Sequence, residues 1–148
     1  MKKIIFTLLI TVMYGSLISC STEPEAINYG HDACHFCEMT IVSQAHAAQA
    51  VSVKGKQFKY DAIECMVNDI NKNQTEMAVE MVSNFMQPGT MIPAQKAHFI
   101  INDSINSPMG ANLAAIKLNS HGDPDGLYTW KELKNRFLED NNLMITAD

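Results

Sequence analysis

Two stretches of the sequence share one pattern: an aromatic residue, then a helix-capping residue, then a glutamate three positions further on. The first stretch is residues 59–64 (KYDAIE) and the second is residues 127–132 (LYTWKE). An Asp or Thr three residues before a Glu has the spacing of a capping box, in which two side chains satisfy the first N–H groups of a helix. Apolar residues follow both stretches at helical spacing. We therefore predict two similar units with one helix in each.

Segments rich in small, β-branched and aromatic residues surround both predicted helices. We predict strands at residues 47–53, 57–60, 77–85, 97–101 and 114–118. The Pro- and Gly-containing residues 87–93 predict a loop between the two halves. This places the first unit at residues 32–86 and the second at residues 94–148.

The N-terminus predicts export from the cytoplasm. Basic Lys2 and Lys3 precede an apolar run at residues 4–18. That run is short for a membrane span and has the length and flanks of a signal peptide. We predict that residues 1–19 are removed from the mature protein.

The end of the signal segment predicts a lipid anchor. Residues 17–20 (LISC) have the pattern that a bacterial lipoprotein signal peptidase requires, with the cysteine receiving the lipid. We predict a lipid on Cys20, a polar tether at residues 20–31, and a location on the periplasmic face of a membrane. Ser21 favours the outer membrane. The alternative is an ordinary secretory signal in which Cys20 is incidental.

The charge of the mature chain excludes one class of partner. Removing residues 1–19 deletes two of the 11 basic residues and none of the 16 acidic ones, so the formal net charge falls from −5 to −7. Such an acidic surface argues against polyanionic partners, both nucleic acid, whose phosphates require a basic surface, and anionic lipids bound through charge.

The mature chain has an odd number of thiols. Of the 4 cysteines, Cys34, Cys37 and Cys65 remain once Cys20 is lipidated. In an oxidising compartment an odd number cannot all pair within one chain, so at least one thiol is free or binds something. Two of the thiols and Met39 fall within residues 34–40 (CHFCEMT), which concentrates soft sulfur donors in one short segment.

Several interpretations of these sulfurs are open. A structural zinc site usually takes four Cys or His ligands, and this chain has one C-x-x-C, one further thiol and scattered histidines. A thioredoxin-like redox pair normally lies at a helix N-terminus after a strand, and no clear strand precedes Cys34. A plain disulfide among the thiols is a third interpretation. Copper is the fourth, since thiolate and thioether ligands select Cu(I).

The sequence resembles the NosL family, lipoproteins that accompany nitrous oxide reductase and handle its copper. The resemblance spans about residues 31–139. It rests on four motifs in order: CEM at residues 37–39, YDAIECM at residues 60–66, AHFI at residues 97–100 and SPMG at residues 107–110.

The resemblance implies a fold, a function and a set of ligands. The implied fold is α+β, with two similar ββαβ units packed together as in the core of organomercurial lyase. The implied function is that of a periplasmic, lipid-anchored Cu(I) chaperone, with no turnover of its own, that delivers copper to nitrous oxide reductase or to its copper-loading transporter. The implied copper ligands are Cys37, Met39 and Met109, with Cys34 and Cys65 as further candidate ligands or thiols. The alternative is an enzyme, a thiol oxidoreductase or an organomercurial-lyase-like protein using these cysteines.

Overall fold

The computed structural model of the chain describes residues 21–118 and 126–145. The predicted signal peptide, Cys20 and the last residues of the predicted second unit lie outside the described residues. Within the described part, no helix has both the length and the apolar character needed to cross a membrane.

The first half of the chain forms a four-stranded antiparallel sheet with a helix on one face. Its elements are β1 (Ala48–Ser52), β2 (Gln57–Tyr60), α1 (Ile63–Asn73), β3 (Met77–Ser83) and β4 (Met91–Pro93). The strand order is β2-β1-β3-β4. All five residues of β1 are buried, because this strand has neighbours on both sides and is covered on both faces. β4 lies inside the segment predicted as a loop, since three residues after Gly89 pair with β3.

The helix α1 begins without the capping box that the sequence predicts at its start. The N-cap residue is Ala62, and no side chain caps the helix there. Asp61 instead accepts a hydrogen bond from the backbone N–H of Val42 at 3.1 Å. Glu64 is buried, and neither of its carboxylate oxygens has a hydrogen-bond partner among the described residues. The predicted helix is present, but its cap is Ala62 and not Asp61, because the Asp61 carboxylate accepts a hydrogen bond from a loop distant in the sequence.

The second half forms a two-stranded sheet and a second helix. Its elements are β5 (His98–Ile101), β6 (Leu113–Ile116) and α2 (Trp130–Ile145), and a short 3₁₀ helix (Ala94–Lys96) leads into β5. Here the predicted capping box is confirmed. The Thr129 backbone N–H donates to Glu132 Oε2 at 2.8 Å, and the Glu132 backbone N–H donates to Thr129 Oγ1 at 3.4 Å.

The two halves share one core. Asn84 and Ala115 form a bridge that joins the end of β3 to β6. The Trp130 indole N–H donates to Glu80 at 2.8 Å, and its ring packs against Phe99 at a centroid distance of 5.4 Å. The predicted α+β class is confirmed. The first half has the order β1-β2-α1-β3, and the second has the order β5-β6-α2 within the described residues.

Candidate metal centre

A tight loop positions the C-x-x-C motif. Residues 33 and 40 pair as an isolated antiparallel bridge, and the Cys34 backbone N–H donates to the Met39 carbonyl at 2.8 Å. Inside this loop the Glu38 N–H donates to the Cys34 carbonyl at 3.0 Å, and Glu38 has a φ of 63°. The left-handed residue reverses the chain within the loop. The loop is also held against the sheet, because the His35 N–H donates to the Lys59 carbonyl at 2.8 Å.

The fold brings together the three thiols of the described residues. The Sγ atoms of Cys34, Cys37 and Cys65 all lie within 4.8 Å of one another. Cys34 and Cys37 come from the loop, and Cys65 comes from the first turn of α1. All three are free thiols, so the predicted alternative of a disulfide among them is not present in this structure.

The hydrogen bonds around Cys34 stabilise its thiolate. The largest contribution is a hydrogen bond donated by the Cys65 thiol, and further bonds come from the backbone N–H groups of Cys37, Asp61 and Phe36. Burial acts in the opposite direction but is outweighed. Together these donors lower the pKa of Cys34 from its ordinary value of 9.0 to about 5. At neutral pH the Cys34 sulfur is therefore a thiolate, and N–H and S–H donors stabilise its negative charge.

The other two thiols stay protonated. The pKa of Cys65 is raised, first because its proton is shared with the Cys34 thiolate and then because the side chain is buried. The pKa of Cys37 is also raised, mainly by burial, and the charge on Cys34 adds to the effect. Asp61 lies beside the site, and burial raises the pKa of its carboxyl group. The site thus holds one thiolate and two thiols before any metal binds.

The sulfurs differ in their access to solvent. Cys34 and Cys65 are buried, with 2% and 0% of their surface exposed, whereas Cys37 is partly exposed. Met39 and Met109 are exposed at 55% and 43%. The site therefore has a closed side formed by two thiols and an open side where Cys37 meets solvent.

Met39 follows Cys37 by two residues, but the two do not lie in an extended segment. Two positions apart in an extended segment, Cys37 and Met39 would share a face. The left-handed Glu38 lies between them, so the segment is not extended and that alternation does not apply. Met39 lies opposite Cys34 across the loop, and Met109 lies in the turn between β5 and β6. Both remain predicted ligands on the strength of the resemblance.

The spacing of the thiols suits a metal ion. Metal–thiolate bonds of about 2.3 Å in a planar three-coordinate site place the sulfurs about 4 Å apart. The separations in the cluster, all within 4.8 Å, are compatible with this geometry after small side-chain rotations. No fourth Cys, His, Asp or Glu joins the group within the described residues. Three soft donors suit Cu(I) better than a closed structural zinc site, which takes four ligands.

Sequence reasoning treated Cys65 only as a further candidate. The signal that could have included it is its position in the first turn of the predicted helix, directly after the Tyr-Asp segment that follows β2. The loop containing Cys34 is bound to the end of β2, and β2 leads into this helix within a few residues. A contact between the two was therefore foreseeable once the loop could be placed.

Comparisons with known proteins give a family and a fold. A sequence model of the NosL family matches residues 26–123, which is more than half of the chain. Among solved structures, the chain is similar to the crystal structure of the copper chaperone NosL from Shewanella denitrificans. The TM-score is 0.57 at 15% sequence identity, over 81% of this chain and 88% of that chain. At this identity the likeness shows a shared fold. No curated protein matches the sequence.

Proposed function

This chain belongs to the NosL family, and from that premise we propose that it is a binding protein, not an enzyme, that carries copper as Cu(I). The observation that carries the proposal is the cluster of Cys34, Cys37 and Cys65, three free thiols whose sulfurs lie within 4.8 Å of one another. The similarity of the fold to a copper chaperone supports it.

The chemistry of the cluster fits Cu(I) as a cargo. A thiolate already present at Cys34 supplies a soft anionic donor without waiting for a proton to leave. Binding of the cation then lowers the pKa of the neighbouring thiols, so further protons are released as further sulfurs coordinate. With the side chains in place before binding, little ordering is required, which favours rapid loading.

The asymmetry of exposure fits a carrier that must also release its cargo. Cys34 and Cys65 hold the buried side of the ion, while Cys37 is reached from solvent. An acceptor thiol or thioether can attack the ion from the Cys37 side and replace the donors one at a time. Met39, exposed and two residues after Cys37, would act as a neutral accessory ligand during loading and transfer.

We also propose an acceptor for the copper and a location for the protein. The family resemblance supports nitrous oxide reductase, or its copper-loading transporter, as the recipient. The LISC motif at residues 17–20 supports a lipid on Cys20 that holds the chaperone at the periplasmic face of a membrane. The resemblance also supports Met109 as a ligand from the second half of the chain.

The test is an anaerobic competition titration of the reduced protein with a chromogenic Cu(I) chelator. We expect one tightly bound Cu(I) per chain. Cys37→Ser should abolish tight binding because an alcohol is a hard, neutral donor. Met39→Ala should weaken binding by a smaller factor, and Met109→Ala should do the same if Met109 is a ligand.

Matched controls separate the site from general effects of sulfur loss. Met86 is exposed at 76% in the loop before β4, so Met86→Ala removes an exposed thioether without touching the thiol cluster. Its affinity should equal that of the unaltered protein. Retention of tight binding by Cys37→Ser would contradict the proposed site. Equal binding by Met39→Ala and Met86→Ala would remove Met39 from the ligand set while leaving the thiol site intact.

A further inference from the structure

The segment between the predicted lipid and the first strand is docked on the sheet. The Gln57 side-chain amide donates to the Glu23 carbonyl at 3.0 Å and accepts from the Glu25 N–H at 3.3 Å. The Gln49 amide donates to the Glu25 carbonyl at 2.5 Å, and Lys59 Nζ donates to the Ala26 carbonyl at 2.9 Å. Four hydrogen bonds therefore fix this segment.

Apolar contacts add to the docking. Ile27 and Tyr29 pack against the core from the same segment. Gln49, Gln57 and Lys59 alternate along β1 and β2 with core residues that face α1, so their side chains lie on the opposite face of the sheet. Residues 23–29 thus cover the sheet face that α1 leaves open.

The docked segment has a defined direction. Glu23 lies at Gln57, the first residue of β2, and Ala26 lies at Lys59, near its end. Asp32 then forms an ion pair with the same lysine at 2.7 Å, and the thiol loop follows directly. From Asp32 towards the N-terminus, the chain therefore runs along β2, away from the thiol site and towards the β1–β2 hairpin turn.

The chain between the docked segment and the predicted lipid is too short to let the lipid reach the opposite end of the domain. Cys20 precedes Glu23 by three residues, which span at most about 11 Å when fully extended. We propose that the docked segment holds the domain on the bilayer in one orientation, with the β1–β2 hairpin turn at the lipid surface and the thiol site facing away. The proposal rests on the lipid anchor included in the proposed function.

The hairpin turn has side chains that suit a lipid surface. Lys54 and Lys56 are exposed there, and Val53 between Ser52 and Lys54 has 47% of its surface exposed. Ammonium groups of lysine are attracted to anionic phospholipid headgroups, and a single exposed valine adds a small apolar contact. The net charge of −7 left after removal of residues 1–19 argues against charge-driven lipid binding by the whole chain, so these lysines only add a local contact to the attachment that the lipid on Cys20 supplies.

The orientation has a consequence for delivery. The strand β2 separates the hairpin turn from the thiol loop, and four residues of strand span about 10 Å. The open side at Cys37 therefore lies above the membrane surface, where an acceptor can approach it from the periplasm. A flexible anchor would let the site turn towards the bilayer, which would reduce productive encounters.

The experiment measures the reactivity of individual lysines. The lipidated protein is bound to vesicles of phosphatidylethanolamine and phosphatidylglycerol and treated with a water-soluble amine-acetylating reagent, and each site is quantified by mass spectrometry. We expect Lys54 and Lys56 to react several-fold more slowly on vesicles than in a lipid-free form of the protein that begins at Thr22 and keeps the docked segment. Lys96 and Lys131, in the second half of the chain, should react equally in both forms.

Matched variants test the role of the docked segment. An insertion of about eight Gly and Ser residues between Ser21 and Thr22 adds about 15 Å of mean reach and should restore the reactivity of Lys54 and Lys56 on vesicles. The same insertion between Asp103 and Ser104, in an exposed turn, should not. Gln57→Ala, which removes two docking bonds, should raise reactivity at both lysines, while Gln87→Ala in the loop before β4 should leave it unchanged.

The outcomes separate this proposal from the proposed function. Unchanged reactivity of Lys54 and Lys56 between the vesicle-bound and released forms, or no effect of the insertion after Ser21, would overturn the fixed orientation while copper binding and lipidation stand. An intact mass without a diacylglyceryl group would overturn the anchor and the orientation together, with the copper titration unaffected. Slower reaction of Lys96 and Lys131 on vesicles, with Lys54 and Lys56 unchanged, would show a different orientation and refute the proposal.

Discussion

Replacing Cys65 separates two roles that the structure gives to this residue, a hydrogen-bond donor to Cys34 and a metal ligand. Cys65→Ala removes both roles. Cys65→Ser keeps an O–H donor at the same position but replaces the soft sulfur with a hard oxygen. The two variants should therefore agree in copper binding and differ in the protonation of Cys34.

The size of the effect follows from the hydrogen bond. The bond from Cys65 is the largest cause of the low pKa of Cys34, which lies at about 5. A hydrogen bond to a charged group contributes about 1.5–3 kcal/mol, and each pKa unit corresponds to about 1.4 kcal/mol. Cys65→Ala should therefore raise the pKa of Cys34 by about one to two units. In Cys65→Ser the pKa should stay close to that of the unaltered protein.

The assay follows thiolate formation by ultraviolet absorbance in the reduced, metal-free protein as pH is raised. In the unaltered protein and in Cys65→Ser, one thiolate should form with a low midpoint pH. In Cys65→Ala its midpoint pH should be higher. In Cys34→Ser this low-pH thiolate should be absent. In the Cu(I) titration both Cys65 variants should bind more weakly. A midpoint in Cys65→Ala equal to that of the unaltered protein, or a low-pH thiolate that survives Cys34→Ser, would refute this account of the site.

Three further predictions concern stability and location. The free energy of unfolding of the reduced, metal-free protein should fall as pH is lowered from about 9 to about 5, by at most about 1.4 kcal/mol per pH unit. The reason is that the pKa of Cys34 in the folded protein lies below its ordinary value, so the unfolded chain binds the proton first. Urea unfolding at several pH values should show a smaller slope in Cys34→Ser, and an identical slope in that variant would count against this explanation. Thr129→Ala should destabilise the protein by about 1 kcal/mol through loss of the α2 cap, measured by chemical denaturation, since its side chain and backbone both bond to Glu132; a change within error would mean that the cap contributes nothing net. Cys20→Ala should leave an unprocessed, unlipidated precursor in fractionation and mass spectrometry, and normal processing would show that the LISC motif is not a lipoprotein signal.

The metal-free protein should keep its fold. The core that joins both halves is built mainly of apolar side chains, and the largest buried ones include Tyr60, Phe99, Ile63 and Leu133. Copper should therefore add stability by mass action and leave the fold in place when it is removed. Circular dichroism of the metal-free protein should show mixed helix and strand, and a random-coil spectrum would contradict this.

Most secondary structure was predictable because it depends on neighbours in the chain. The hairpin at β1 and β2 and the helices α1 and α2 follow from short-range patterns of apolar residues and turns. β4 was missed because three residues between Gly89 and the 3₁₀ helix have no pattern of their own and form a strand only by pairing with β3.

The two capping boxes show where sequence spacing stops being decisive. Thr129 and Glu132 exchange hydrogen bonds between their side chains and backbone N–H groups, as the sequence spacing predicts. Asp61 has the same spacing to Glu64, but the backbone N–H groups of Val42 and Ser43 are brought to its carboxylate by the packing of their loop. Asp61 is itself buried, and the hydrogen bond from Val42 gives its carboxylate a partner that the start of α1 does not supply.

By itself the sequence determined the chemistry available to this protein: soft sulfur donors concentrated at residues 34–40, an odd number of thiols and a motif for lipid attachment. Only the tertiary structure decided which sulfurs meet and in what state. Cys65 lies far from Cys34 in sequence, and the loop must pack against the start of α1 before the two sulfurs come together. The charge on Cys34 depends on that contact, because a thiolate is stabilised in a buried place only when several donors point at it from different parts of the chain.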